Sequence, residues 1–180
     1  MCGIIGAWGN SFAERVRAAN RLQAHRGPDD QGYYHDADTS VALGHVRLAI
    51  IDPSPLGHQP MLSDEQSVVL VFNGEIYNFP KLRAELAGGG HRFRGHSDTE
   101  VLLALYLRHG KAMLPMLNGI FAFALWDRRR QEMLLARDPL GVKPLYYAAL
   151  ASGFAFASEI KALLPLLDSS GELDPVSLHR

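Results

Sequence analysis

A chain of 180 residues can bury roughly 70% of the surface its unfolded form exposes, enough for one domain without staples. Lys and Arg number 18 against 19 Asp and Glu, and the formal net charge of -1 offers no broad attraction to nucleic acid or to an anionic membrane. A single cysteine excludes an intramolecular disulfide. With no basic leader and no apolar run near the roughly 20 residues that span a bilayer, a cytoplasmic protein with neither a membrane nor a nucleic-acid partner is expected.

The residues from Met1 to Trp8 are short and apolar and predict a first strand entering the core of a sheet. Phe12 to His25 predicts a helix stopped by Gly27 and Pro28, followed by the loop RGPDDQG. Val41 to Ile51 predicts a strand that ends in the turn-rich run DPSPLGHQP. Gln66 to Phe72 predicts another strand, after which Asn73-Gly74 is the dipeptide favoured in a tight hairpin. A short helix over 80–86 closes on Gly88, Gly89 and Gly90, a triplet without phosphate-binding spacing.

Ser97 to Glu100 has the form of a capping box, and the helix it starts runs through 101–107 to Gly110. From Gly119 the runs IFAFALWD, EMLLARD, PLYYAAL and GFAFASE predict four strands in an antiparallel meander, then a helix over 160–167. Separate runs of strands and helices point to an α+β domain with layered antiparallel sheets. The domain is assigned to residues 1–168, with 169–180 a linker and the start of a further, missing domain.

A lone cysteine is usually a small buried hydrophobe, but position 2 changes the odds. Once Met1 is removed, Cys2 carries a nucleophilic thiol beside its own free amine, whose ordinary pKa is about 7.7 to 8.0. Gly3 next to it would allow close approach of a substrate or of neighbouring backbone. The stretch Cys2-Gly3-Ile4-Ile5-Gly6 resembles the start of class II glutamine amidotransferases, whose glutaminase domain is an N-terminal-nucleophile hydrolase. RGPD at 26–29 and FNGEIYN at 72–78 resemble the glutamine-hydrolysing asparagine synthetases of the B type, and DPLGVKPLYY at 138–147 is a third match, read as a structural turn and strand.

The resemblance implies a four-layer αββα sandwich, with Cys2 as nucleophile and Asn73 and Gly74 as the oxyanion hole. It further implies that Arg47 binds the glutamine carboxylate and Asp98 the ammonium, with Glu75 and the backbone around Leu48, Ile50 and Ile51 completing the pocket. From the residues alone, Asn73-Gly74 is equally a hairpin turn, Arg47 a solvent-facing strand arginine and Asp98 a first-turn acid favoured by the helix dipole. The implied partners are L-glutamine, a C-terminal synthetase domain of the same full-length chain, and a second copy in a homodimer. No GxxxxGK[ST] loop is present, so ATP and Mg are expected only in the synthetase domain and no cofactor in this one. The eight histidines lack metal-ligand spacing, and no metal is expected.

Overall fold

The computed structural model describes residues 1–168; the stretch 169–180, read above as a linker, lies outside the described residues. Alternation along the strands decides which layer each side chain joins. In β1 (Gly3–Gly9), Ile4 faces a second sheet, while Ile5 and Ala7 face helix α1 (Ala13–Asn20). In β3 (Val41–Arg47), Val41 and Leu43 face the second sheet and Ala42 faces α1. In β5 (Val68–Ile76), Val69 and Val71 face the first sheet, while Leu70, Phe72 and Ile76 face helices α2 (Phe79–Gly88) and α3 (Asp98–His109).

One sheet has the order β2-β3-β1-β9-β8 and the other β4-β5-β6-β7. The remaining strands are β2 (Asp30–Asp36), β4 (Met61–Leu62), β6 (Gly119–Asp127), β7 (Glu132–Arg137), β8 (Tyr146–Leu150) and β9 (Gly153–Ala157). Every strand pair is antiparallel. Helix α1 and the short α4 (Ile160–Leu163) cover the first sheet, and α2 and α3 cover the second. Three cores thus separate four layers, as the αββα expectation requires.

Several local expectations are corrected. Asn73-Gly74 is not a hairpin, because β5 runs on to Ile76 with Asn73 opposite Ala122 and Gly74 opposite Phe121. The glycine serves close strand packing: a Cβ there would meet Phe121 Cα at 2.7 Å. The loop RGPDDQG gives way at Asp30 to β2, and the strand predicted to Ile51 ends at Arg47. The helix predicted to His25 becomes 3-10 from Arg21 to Arg26, and that over 160–167 becomes 3-10 at Leu164.

The meander from Gly119 is divided between the sheets, β6 and β7 in one and β8 and β9 in the other. The crossing turns on Asp138, whose carboxylate accepts from the N–H groups of Phe121, Leu140, Val142 and Lys143. Burial works against its charge, yet these bonds outweigh it and hold the carboxyl below its usual range. The capping box is half formed. Ser97 Oγ accepts from Glu100 N–H at 3.2 Å, but the Glu100 carboxylate turns instead to the N–H groups of Arg94 and Gly95.

Candidate active site

The layer between the sheets changes character at one end. Along β3 the row facing the second sheet runs Val41, Leu43, His45, Arg47, and along β5 it runs Val69, Val71, Asn73. Cys2 extends the row begun by Ile4, so strand alternation brings a thiol, a guanidinium and a carboxamide to one edge of the sandwich. A cleft of about 110 Å³ opens there, and all nine residues named from the sequence line it: Cys2, Arg47, Leu48, Ile50, Ile51, Asn73, Gly74, Glu75 and Asp98.

The segment after β3 holds the thiol. Leu48 N–H donates to Cys2 Sγ at 3.4 Å, and the thiol faces the Leu48 carbonyl at 3.7 Å. Burial pushes the Cys2 thiol up, against the opposing pull of the Leu48 N–H, the terminal ammonium and Arg47, so the resting group is a thiol and needs a base. Met1 still precedes it and stands 57% exposed at the cleft. Gly3 does not serve substrate approach. It faces the helix side, where a Cβ would meet Val46 Cγ2 at 2.9 Å and Gln23 Oε1 at 3.1 Å.

Across the cleft two donors lack partners. Asn73 is 1% exposed, yet its Nδ2 has no acceptor among the described residues, an arrangement that costs stability unless something else accepts. Gly74 follows from strand geometry. Phe121, opposite it, donates its N–H to Asp138 Oδ2 at 3.2 Å and accepts from Asp138 N–H at 2.8 Å, leaving nothing for Gly74. The N–H groups of Phe72, Gly74 and Ile76 therefore all point away from β6. That of Phe72 reaches Gln59 Oε1 at 2.7 Å and that of Ile76 reaches Asp98 Oδ2 at 3.0 Å. Among the described residues, no side chain accepts from the Gly74 N–H between them. An unpaired amide and an unpaired backbone N–H beside a thiol form an anion-stabilising pair of the kind acyl transfer requires.

Two charges of opposite sign flank the pair. Arg47 is buried, its guanidinium held by the carbonyls of Ser54, at 3.1 Å, and Asp52, with Gly57 so close that a Cβ would lie 2.7 Å from Cζ. It is not the solvent-facing arginine of the simpler reading. Asp98 is 4% exposed, and burial raises its carboxyl to about 6 although Ile76, Thr99 and its own N–H oppose the shift. Glu75 stands exposed at the rim and Ile50 is 69% exposed.

Sequence reasoning missed Asp52, Gln59, Ser97, Thr99 and Lys143, which also line the cleft. It treated Arg26 and Asp29 only as part of a diagnostic loop. Arg26 Nε donates to the Cys2 carbonyl at 2.9 Å, and Asp29 Oδ2 accepts from Ala49 N–H at 2.8 Å, so the RGPD loop braces both the nucleophile and the segment beside it. Arg26 is half-buried, and nothing local in the loop signalled these contacts. Among the described residues no group of three His, Cys, Asp or Glu side chains gathers as a metal site would need, and no helix is long and apolar enough to cross a membrane.

The family model described as "Glutamine amidotransferase domain" matches residues 1–180. The chain is similar to an asparagine synthetase [glutamine-hydrolyzing] 1 of Bacillus subtilis, 38% identical over all of this chain and 29% of that protein. It is 44% identical to an asparagine synthetase [glutamine-hydrolyzing] of Sandersonia aurantiaca, over 91% of this chain and 31% of the other. It is 42% identical to the amidase chry2 of Gibberella zeae, over 89% and 24%. The chain thus spans about a quarter to a third of the length of these relatives. Among solved structures, a glutamine phosphoribosylpyrophosphate amidotransferase from B. subtilis, complexed with ADP and GMP, matches with a TM-score of 0.77 at 28% identity, over 90% of this chain and 43% of that one.

Proposed function

Because this chain belongs to the glutamine amidotransferase domain family, we propose that its cleft hydrolyses L-glutamine to glutamate and ammonia with Cys2 as nucleophile. The unpartnered Asn73 Nδ2 carries the reading, since a buried idle donor beside a thiol is explained by an oxyanion that only a reacting substrate supplies. Arg47 pairs with the substrate carboxylate and Asp98 with its ammonium. Glu75 and the segment Leu48 to Ile51 enclose the side chain.

The reaction proceeds from the chain without Met1. Cys2 Sγ attacks the side-chain amide carbon of glutamine while the thiol proton passes to the freed Cys2 amine. The carbonyl oxygen becomes an oxyanion held by Asn73 Nδ2 and the Gly74 N–H. The C–N bond breaks, the nitrogen takes the proton and ammonia leaves, giving a glutamyl thioester. Water then adds to the thioester with the amine as base, and the C–S bond breaks to release glutamate and restore the thiol.

The names of two of these relatives favour asparagine formation as the use of the ammonia. We further propose that the acceptor is aspartate, amidated with ATP and Mg by a synthetase domain outside residues 1–168 of a cytoplasmic, homodimeric protein. The relative named as an amidase shows that similar domains also occur in a protein carrying another name. Glutamate release from glutamine, with Met1 removal scored by intact mass, tests the reading. Turnover should track Met1 loss and vanish in Cys2→Ala; fully processed protein without turnover would overturn it.

A further inference from the structure

His45 occupies the point where the layer between the sheets turns from apolar to polar. It follows Val41 and Leu43 in the row facing the second sheet and precedes Arg47. It is fully buried, and an aliphatic side chain would continue the row without desolvating an imidazole. Instead Nε2 lies 3.1 Å from the Phe72 carbonyl, and Nδ1 has no partner among the described residues. Burial depresses the imidazolium to about 4, so the ring is neutral near pH 7. A neutral ring that meets a carbonyl through Nε2 carries its hydrogen there.

That carbonyl belongs to the peptide leading into Asn73. Strand β4 pairs only with Val69 and Leu70 of β5, so among the described residues the outer edge of β5 has no neighbouring strand from Phe72 onward. Single side chains replace it: His45 takes the Phe72 carbonyl, Gln59 the Phe72 N–H and Asp98 the Ile76 N–H. The gap in this substitute ladder falls at Gly74. Rotation of the Phe72–Asn73 peptide would swing the Asn73 carboxamide and tilt the Gly74 N–H together, because both hang from the bonds that follow it.

We infer that His45 is a positioning residue for the oxyanion hole, fixing through the Phe72 carbonyl the direction of the Asn73 and Gly74 donors. This rests on the reading of those donors given above. Both donors are still present when His45 is changed and only their aim is lost, so the loss is smaller than the roughly 10²–10³-fold of deleting one. It falls on the chemical step and spares glutamine binding, since Arg47 and Asp98 are untouched.

The test compares His45→Leu, which removes the donor, with His45→Gln, whose amide can replace Nε2–H, in protein with Met1 removed. We expect His45→Leu to lower kcat for glutamine hydrolysis about tenfold or more with KM within about twofold, and His45→Gln to regain most of the loss. A folded His45→Leu with parental kcat, or a His45→Gln as slow as His45→Leu at equal melting temperature, overturns the inference. If His45→Leu does not fold, Gln59→Met, which removes the acceptor of the Phe72 N–H on the preceding peptide unit, must show the same kcat-selective loss. A wild-type chain without turnover sinks the glutaminase reading instead. Then the Phe72 carbonyl ¹³C and Asn73 ¹⁵N shifts decide: they should move in His45→Leu and return in His45→Gln, and shifts that stay fixed refute the role.

Discussion

The two ends of the layer between the sheets are made by the same strands and obey opposite rules. At one end Val41, Leu43, Val69, Val71, Ala124, Trp126 and Phe156 pack into one core, each buried to 0% exposure. At the other, one or two pleats further along the same rows, His45, Arg47, Asn73 and Cys2 leave a cleft and unpaired donors. The first end stabilises the sandwich, each large side chain contributing roughly 1.5–3 kcal/mol by burial. The second withholds contacts that folding could have made. Function here occupies a place where packing stops.

The sharpest way to break this comparison is a pair of substitutions. Asn73→Ala should lower kcat by about 10²–10³-fold, because one oxyanion donor is lost, and leave the melting temperature unchanged or raised, because the donor was idle in the fold. Leu43→Ala should cost about 2–5 kcal/mol of stability while its folded fraction keeps near-parental kcat. Thermal melts and steady-state kinetics on both variants read the result. A clear fall in melting temperature for Asn73→Ala would place Asn73 among the structural polar groups.

A smaller effect separates two buried aspartates. Asp138, wrapped by four N–H groups, is held below the usual range, whereas Asp98 is raised to about 6. Glutamine binding needs ionised Asp98, so KM should rise about tenfold per pH unit as pH falls below about 6. The sign for stability is the reverse. A raised carboxyl contributes stability below its unfolded value, about 3.9, and loses it as pH rises through about 6, so Asp98→Asn should melt higher than the parent at pH 8 while binding glutamine poorly. The Asn Oδ1 can still accept from Ile76 N–H. A pH-independent KM between 5 and 7 would remove Asp98 from the ammonium site.

The smallest expected effect concerns the helix that carries Asp98. Ser97→Ala removes the Oγ that caps α3 and should cost about 1 kcal/mol in chemical denaturation, with a modest rise in KM because Asp98 sits at the first helical position. An unchanged denaturation midpoint would show that the Glu100 bonds to Arg94 and Gly95 already hold this helix start.

Much of the molecule could be read from local pattern. Cys2 at the head of an apolar strand, Ser97 at a helix start and the β-branched run through β5 announce themselves within a few residues. Resemblance in short motifs named nine of the residues that line the cleft. The errors have one origin. Asn73-Gly74 has the composition of a turn, and only pairing with β6, from Val68–Asp127 to Ile76–Gly119, keeps it in a strand. The strands after Gly119 alternate as a meander would, and only the cage around Asp138 sends the chain to the other sheet.

By itself, then, the sequence determined the periods: which residues alternate, which cap, and which side chains carry a thiol, a guanidinium or a carboxylate. Tertiary structure alone decided that Arg47 is clamped by the turn at 52–57, that Asp98 is raised, that Arg26 holds the Cys2 carbonyl, and that among the described residues Asn73 Nδ2 has no acceptor and no side chain accepts from the Gly74 N–H. The physical reason is range. Strand alternation is a property of neighbouring residues, whereas desolvation and the absence of a hydrogen-bond partner depend on what distant segments place, or fail to place, within about 3 Å.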